Sequence, residues 1–309
     1  MLKYCLLLTV LALGLLPATA AVTFRFNPPT GTAFTQTDTQ TLTQTTTGQP
    51  TQTQTLEVKT KTVIDQTATG FNFTQTPLSK TTIVGSKRTT ETDTDPVTSA
   101  PITLVLDAGG KAVAVQGFGK LQQRMLDKVN DESRKQGFDE KAIRAMFARL
   151  TARQKAEWGQ TISLYAGKTV SLNDRWADAT KPDEMGIVYK RITSFGPMKT
   201  INGKSCIRIA YAVTSDAASV RAALAKQERA RAKAIAAQKG KAAASAPKFL
   251  YFTATEQGER YVDPATMLTY VEHVMSSRTQ VVNVPGKGKI TIAAIEIVEK
   301  RYDDLKALG

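Results

Sequence analysis

A chain of 309 residues with two cysteines, one histidine and 12 prolines is neither a disulfide scaffold nor a collagen, and it shows no heptad repeat. An apolar fraction of 41% is enough for a core, and the length suits two domain-sized units or one large β structure. A net charge of +14 raises the question of a polyanionic partner, which the distribution of that charge decides.

Residues 1–20 read as a secretory signal peptide, with Lys3 before an apolar run from Cys5 to Leu16 and the small residues Ala18-Thr19-Ala20 at the cleavage point. That run is short of the roughly 20 residues a membrane span needs. The sequence thus predicts an exported bacterial protein, periplasmic or extracellular, with no transmembrane segment after cleavage. Loss of Cys5 leaves Cys206 as the sole thiol, so no internal disulfide forms.

Residues 21–100 hold 27 threonines, and their six basic and six acidic residues cancel. Thr35, Thr37, Thr39, Thr41, Thr43 and Thr45 recur with a period of two, which places them on one face of a strand. A second strand over residues 51–64 puts Leu56, Val58 and Ile64 on one side and Thr55, Glu57, Lys59 and Lys61 on the other. A third begins with Phe71 and Phe73 on a common face. A hairpin follows, with its turn at Asp107-Ala108-Gly109-Gly110. These are long antiparallel strands in a meander, with β-branched threonine supplying propensity.

Two helices come next. The first carries Leu121, Met125, Leu126 and Val129 as its apolar stripe; the second has Asp139 as N-cap and continues through Ile143, Phe147 and Leu150. β structure resumes over residues 162–172, with a turn at Asn173-Asp174. Asn202-Gly203 marks a type I′ hairpin, after which Ile207, Ile209, Tyr211 and Val213 alternate. Further strands are predicted over residues 249–255, 267–275, 281–284 and 290–298. Residues 215–248 interrupt this half with an Ala-rich helical segment whose few large apolar residues, Val220, Leu224 and Ile235, predict a helix projecting from the sheet.

The expected fold is mainly β (α+β): a long-stranded antiparallel curved sheet or open barrel with a central helical hairpin and an exposed basic helix. Its parts are a signal peptide (1–20), a Thr-rich β half (21–118), the helical hairpin (119–158) and a second β half (159–309) with the insertion at 215–248.

Chemistry-bearing motifs are sparse. One histidine, His273, cannot form a His-x-x-x-His metal site, and no Gly-x-Ser-x-Gly elbow accompanies it. The Gly-Lys pairs lack the upstream glycine of a phosphate loop and read as hairpin turns. Glu91, Asp93 and Asp95 alternate along an extended chain, too far apart for one calcium ion unless the backbone turns. The sequence therefore predicts no catalytic residue, metal or cofactor. Between Val220 and Lys241, seven basic residues stand against Glu228. Arg221, Lys226, Arg229, Arg231 and Lys233 are thus candidates for contact with an anionic surface; lacking interleaved aromatics, they do not read as a nucleic-acid site.

Three stretches carry a resemblance: Ile102-Thr103-Leu104-Val105-Leu106-Asp107-Ala108-Gly109-Gly110-Lys111 with Val115-Gln116-Gly117, then Val170-Ser171-Leu172-Asn173-Asp174-Arg175-Trp176, and Ile201-Asn202-Gly203-Lys204-Ser205-Cys206-Ile207-Arg208-Ile209. With them the chain resembles a family of exported bacterial proteins of unknown function, and more distantly, by analogy of fold, periplasmic lipoprotein carriers. From the residues themselves comes the expectation of a non-enzymatic envelope protein binding a lipid or other apolar small molecule, lined by Phe71, Phe73, Leu121, Met125, Phe147 and Leu150. The alternative is a structural or interaction protein that meets an envelope partner or anionic surface through its basic helix or Thr-rich sheet.

Overall fold

The computed structural model describes residues 21–91, 100–130, 139–161, 164–183, 185–237 and 248–306. The proposed signal peptide, Asp93 and Asp95 of the acidic run, and the end of the Ala-rich insertion lie outside these. Among the described residues no helix is long and apolar enough to cross a membrane.

A short strand β1 (Ala21–Thr23) pairs with β8 (Thr169–Ser171). The remaining strands form one antiparallel sheet that does not close into a barrel. Its first half is built from β2 (Thr32–Thr46), β3 (Gln52–Thr67), β4 (Gly70–Val84), β5 (Lys87–Glu91), β6 (Ile102–Asp107) and β7 (Ala112–Gln116). The second half contains β9 (Arg175–Ala179), β10 (Tyr189–Ile201), β11 (Lys204–Ser215), β12 (Lys248–Val262), β13 (Thr269–Val284) and β14 (Gly288–Lys306). The order is β7-β6-β4-β3-β2-β14-β13-β12-β11-β10-β9, with β5 beside β4. Thus β2 and β14 join the halves, from Thr46 opposite Ile292 to Ala33 opposite Lys306.

One face of this sheet, here the inner face, carries the core. The aromatics Phe24 and Phe26, which follow β1, enter it with Phe34, Ile64, Phe71, Phe73, Leu106, Phe195, Ile207 and Ile209. Each such buried side chain contributes roughly 1.5–3 kcal/mol of transfer free energy. The alternating threonines of β2, Thr35 to Thr45, point the other way: Thr41, Thr43 and Thr45 hydrogen-bond across to Thr55, Thr53 and Thr51 at 3.1, 3.3 and 3.2 Å. Their hydroxyls satisfy one another on the outer face, so a strand with little apolar surface is held by its ladder and its cross-strand pairs.

Among the described residues three helices complete the fold: α1 (Phe118–Asp127), α2 (Glu140–Thr161) and α3 (Ala217–Ala237). Asp139 caps α2, accepting from the Ala142 N–H at 2.7 Å. Near its other end, Trp158 Nε1 donates to the Gly110 carbonyl at 2.7 Å, which fixes α2 to the β6–β7 turn. Asn202 (φ +50°) and Gly203 (φ +76°) make the expected β10–β11 hairpin.

The structure differs from the sequence reading in three places. The strand expected over residues 162–172 shrinks to β8, because Gly167 (φ +75°) turns the chain and the Lys168 N–H returns to the Tyr165 carbonyl at 3.0 Å. The two strands expected over 267–275 and 281–284 are one, β13, since the polar stretch between them is paired with β12 and β14 on both sides. The start of α3 docks instead of projecting: Val220 and Ala223 are buried with Ile187, against Tyr189, Leu224 and Phe252. Small alanines let the helix approach closely, so few large residues suffice.

Candidate functional site

The alternation of side chains along β12, β13, β14 and β2 brings four charged residues into one row on the inner face. Register pairs Arg260 with Glu272, Glu272 with Lys300, and Lys300 with Asp38. The signs alternate across four neighbouring strands. Arg260 Nη2 lies 3.0 Å from Glu272 Oε1, and Lys300 Nζ lies 3.3 Å from Glu272 Oε2. The Arg260 and Glu272 side chains are 7% and 8% exposed.

Burial raises both carboxyls of this row, and the neighbouring cations decide which way each one shifts. For Glu272, burial alone would raise the carboxyl, but Arg260 and Lys300 outweigh it and hold the group below its usual value. At Asp38, burial dominates and raises the carboxyl, although the Gln36 amide donates to both its oxygens at 2.7 and 2.8 Å and Lys300 is near. Burial likewise pushes the phenol of Tyr302, which packs on Phe34 with ring centroids 5.6 Å apart, above the ordinary tyrosine range.

One row along the sheet, Tyr211 stands opposite Gly258. A Cβ at Gly258 would lie 2.4 Å from the ring's Cζ, so the absent side chain is what lets the phenol lie across the sheet. Arg260 Cζ sits 5.2 Å from that ring centre, a cation–π contact that adds to the Glu272 ion pair. Among the described residues the Nε atoms of Arg191 and Arg260 are buried and meet no acceptor. This part of the face therefore holds more donors than the protein satisfies.

Three cavities run along the inner face around this row. The smallest, about 230 Å³, lies between the row and α2, lined by Phe73, Leu104, Trp158, Arg260, Lys300 and Tyr302 among others. A second, about 400 Å³, lies on the other side of the row and is lined by Arg153, Tyr165, Arg191, Tyr211, Arg260 and Lys300, with Glu256, Glu272 and Glu296. The third, about 600 Å³, opens beneath α3 among Met185, Tyr189, Leu224, Phe249 and Phe252. It shares Glu256, Ser276 and Glu296 with the second. These three residues are directly paired on β12, β13 and β14, so the two cavities form a continuous groove. Glu296 also accepts hydrogen bonds from the Gln40 amide and, at 3.4 Å, from the Ser276 hydroxyl.

The six apolar residues expected to line a ligand take different places. Phe71 and Phe73 are buried against Phe26, with centroids 5.3 and 6.0 Å away, and Phe73 also meets Trp158 at 5.0 Å. Phe73 borders the smallest cavity. Phe147 lies about three turns before Trp158 on α2, where it is buried against Phe118. Leu121 and Met125 are half-buried on α1, and Leu150 is exposed. Of the five basic candidates, Arg221, Lys226, Arg229 and Lys233 are exposed, while Arg231 is half-buried 3.5 Å from Glu228. His273 is exposed on the outer face, 3.9 Å from Glu299. Cys206 is buried, and burial together with Asp263 pushes its thiol up to about 11, so it is a packing residue and a poor nucleophile. Among the described residues no cluster of three His, Cys, Asp or Glu side chains could hold a metal ion.

Sequence reasoning missed the charged row and the groove. The signal was present: Tyr270-x-Glu272-x-Val274 and Val298-x-Lys300-x-Tyr302 each place a charge among inward-facing apolar residues. Only the register shows that these interruptions meet.

No protein-family model matches the chain, and no curated protein does. Among solved structures, lipovitellin, described for its lipid–protein interactions, aligns with 92% of this chain at 8% identity and a TM-score of 0.44. The chain spans about a quarter of that protein, 26% of its length. An exported protein with a YmcC-like fold from Bacteroides fragilis aligns over 88% of this chain and 97% of its own, at 9% identity and a TM-score of 0.22. These likenesses place the chain in no family.

Proposed function

We propose that the protein is an exported, non-enzymatic binding protein that takes an amphiphilic lipid or a related apolar ligand on the inner face of its sheet. The observation that carries this reading is the groove beneath α3. At one end Met185, Leu224, Phe249 and Phe252 offer apolar surface; at the other the wall is charged, with Arg153, Arg191, Arg260 and Lys300 among Glu256, Glu272 and Glu296. A cavity of about 600 Å³ falls within the usual range of small-molecule sites, roughly 300–1,000 Å³, in which apolar walls supply affinity and a few polar groups fix orientation. Under this reading the alkyl chain lies under α3 and the head group points to the charged row.

The test is native mass spectrometry of protein purified from its own envelope, combined with titration of a fluorescent fatty acid. Copurified lipid and saturable binding are expected, with binding abolished in Ala254→Trp, which fills the groove. Absence of copurified lipid together with no saturable binding overturns the reading.

A further inference from the structure

We infer that the end of the sheet formed by the β2–β3, β4–β5 and β13–β14 turns docks on an anionic bilayer surface. The turns come together because the Thr47 N–H at the end of β2 donates to the Thr291 carbonyl of β14 at 3.0 Å, and because Gln54 of β3 pairs with Val84 of β4.

The inference rests first on charge. Start from the row Glu256–Ser276–Glu296–Leu42–Gln54–Val84, defined by register across β12, β13, β14, β2, β3 and β4. Beyond it, toward these turns, the described residues of β2–β4 and β12–β14 carry Lys248, Arg278, Lys287 and Lys289 and no carboxylate, and Lys87 lies on the row itself, opposite Val84. The second half of α3 runs to the same end, since Glu228 Oε1 lies 3.4 Å from Lys248 Nζ. It adds Lys226, Arg229, Arg231 and Lys233, with Glu228 as its one acid. Carboxylates on the flank of the sheet are already engaged: Asp216 pairs with Lys190 at 2.7 Å, and Asp183 accepts from the Ile187 N–H at 2.8 Å and the Tyr189 hydroxyl at 3.1 Å. Positive charge thus clusters at this end, the arrangement that an anionic surface attracts.

Apolar exposure at the same end is the second, independent observation. Phe249, Leu250 and Tyr251 are 38%, 37% and 50% exposed, and Val84 is 55% exposed. A register shift between Phe249 and Tyr251 places a bulge in the first turn of the ladder, which re-aims these side chains at the rim. Three consecutive large apolar residues left in water beside lysines suit a headgroup boundary, where tyrosine lies with its ring in the acyl region and its hydroxyl wet. A nucleic acid or acidic protein would use the lysines and leave the apolar residues unemployed. Phe249 also lines the groove under α3, so this orientation sets the groove's mouth against the bilayer.

The test is cosedimentation of the full mature chain with phosphatidylcholine vesicles, with and without phosphatidylglycerol. Binding only to the anionic vesicles is expected, falling steeply with added salt. Lys287→Glu/Lys289→Glu should weaken it ~tenfold or more. Phe249→Ser/Tyr251→Ser, which leaves the charge unchanged, should weaken it several-fold. Lys59→Glu/Lys61→Glu, an equal charge change on exposed positions of the outer face, should leave most of it intact. All of these positions are exposed and outside the core, so the variants are expected to fold; far-ultraviolet circular dichroism checks that. Equal losses from both lysine pairs would mean a net-charge effect and overturn the proposal. So would failure to bind anionic vesicles, or equal binding of duplex DNA by the wild type and the Phe249/Tyr251 variant. Vesicle binding is read without any groove ligand, so failure of the ligand reading does not decide this one.

Discussion

Gly258 lies directly across the β11–β12 ladder from Tyr211, and a Cβ there would sit 2.4 Å from the tyrosine ring. The inward row of β12 thus gives up one side chain so that the neighbouring strand can lay an aromatic ring beside Arg260. Gly258→Ala is expected to cost about 1–3 kcal/mol, the usual cost of overpacking. Tyr211→Ala removes the clash, so the double variant should be more stable than the sum of the single effects predicts. Urea unfolding of the four proteins gives this cycle.

The Arg260–Glu272 pair, at 3.0 Å and almost wholly buried, makes a sharper prediction. Removing Glu272 leaves Arg260 buried without its counter-ion, whereas Arg260→Met leaves Glu272 still bridged to Lys300 at 3.3 Å, so Glu272→Met should be strongly destabilising, by about 3–5 kcal/mol, and Arg260→Met less so. Arg260→Met with Glu272→Met removes both charges together and should recover most of that loss. If the double variant is as unstable as Glu272→Met, the pair is not energetically coupled. Denaturant midpoints at neutral pH decide it.

Acid sensitivity separates the two carboxylates of the row. Glu272 holds its proton less tightly in the folded protein than in the unfolded chain. Its contribution is therefore present above the ordinary carboxylate value and is lost as pH falls through the folded one. Asp38 is the reverse: its folded pKa is raised, so stability falls as pH rises through the interval just above the ordinary value. Glu272→Gln should flatten the acid limb of the stability profile, whereas Asp38→Asn should remove a decline at slightly higher pH. Thermal unfolding from acid to neutral pH, wild type against each variant, reads both signs.

Much of this fold was legible in the sequence, for reasons particular residues make clear. The period-two threonines of β2, the Asn202-Gly203 turn and the Asp139 cap each encode their structure within a few residues, and each appears as read. What was not legible depends on partners far along the chain. Ser276 to Gln280 looks too polar for a strand, yet neighbours on both sides hold it in the ladder. Arg260, Glu272, Lys300 and Asp38 are unremarkable singly and become a row only through register, which also builds the groove. The docking of α3 escaped notice because Ala223 buries by closeness, not by size.

That docking supplies the last prediction. Val220, Ala223 and Leu224 hold the first turns of α3 against Ile187, Tyr189 and Phe252, and Leu224 with Gln227 forms one wall of the cavity beneath α3. The contact is a satellite of the main core, which is centred on Phe24, Phe195 and Ile209. Ala223→Glu buries an unpaired carboxylate at that contact and should release the helix while the sheet stays folded. Hydrogen exchange is then expected to accelerate within residues 217–237 and to change little in β13 and β14. A fluorescent fatty acid should bind the variant at least several-fold more weakly, because the apolar wall is lost. Uniform acceleration across the sheet would instead mean that α3 belongs to the same cooperative unit as the main core, and that the groove cannot open without global unfolding.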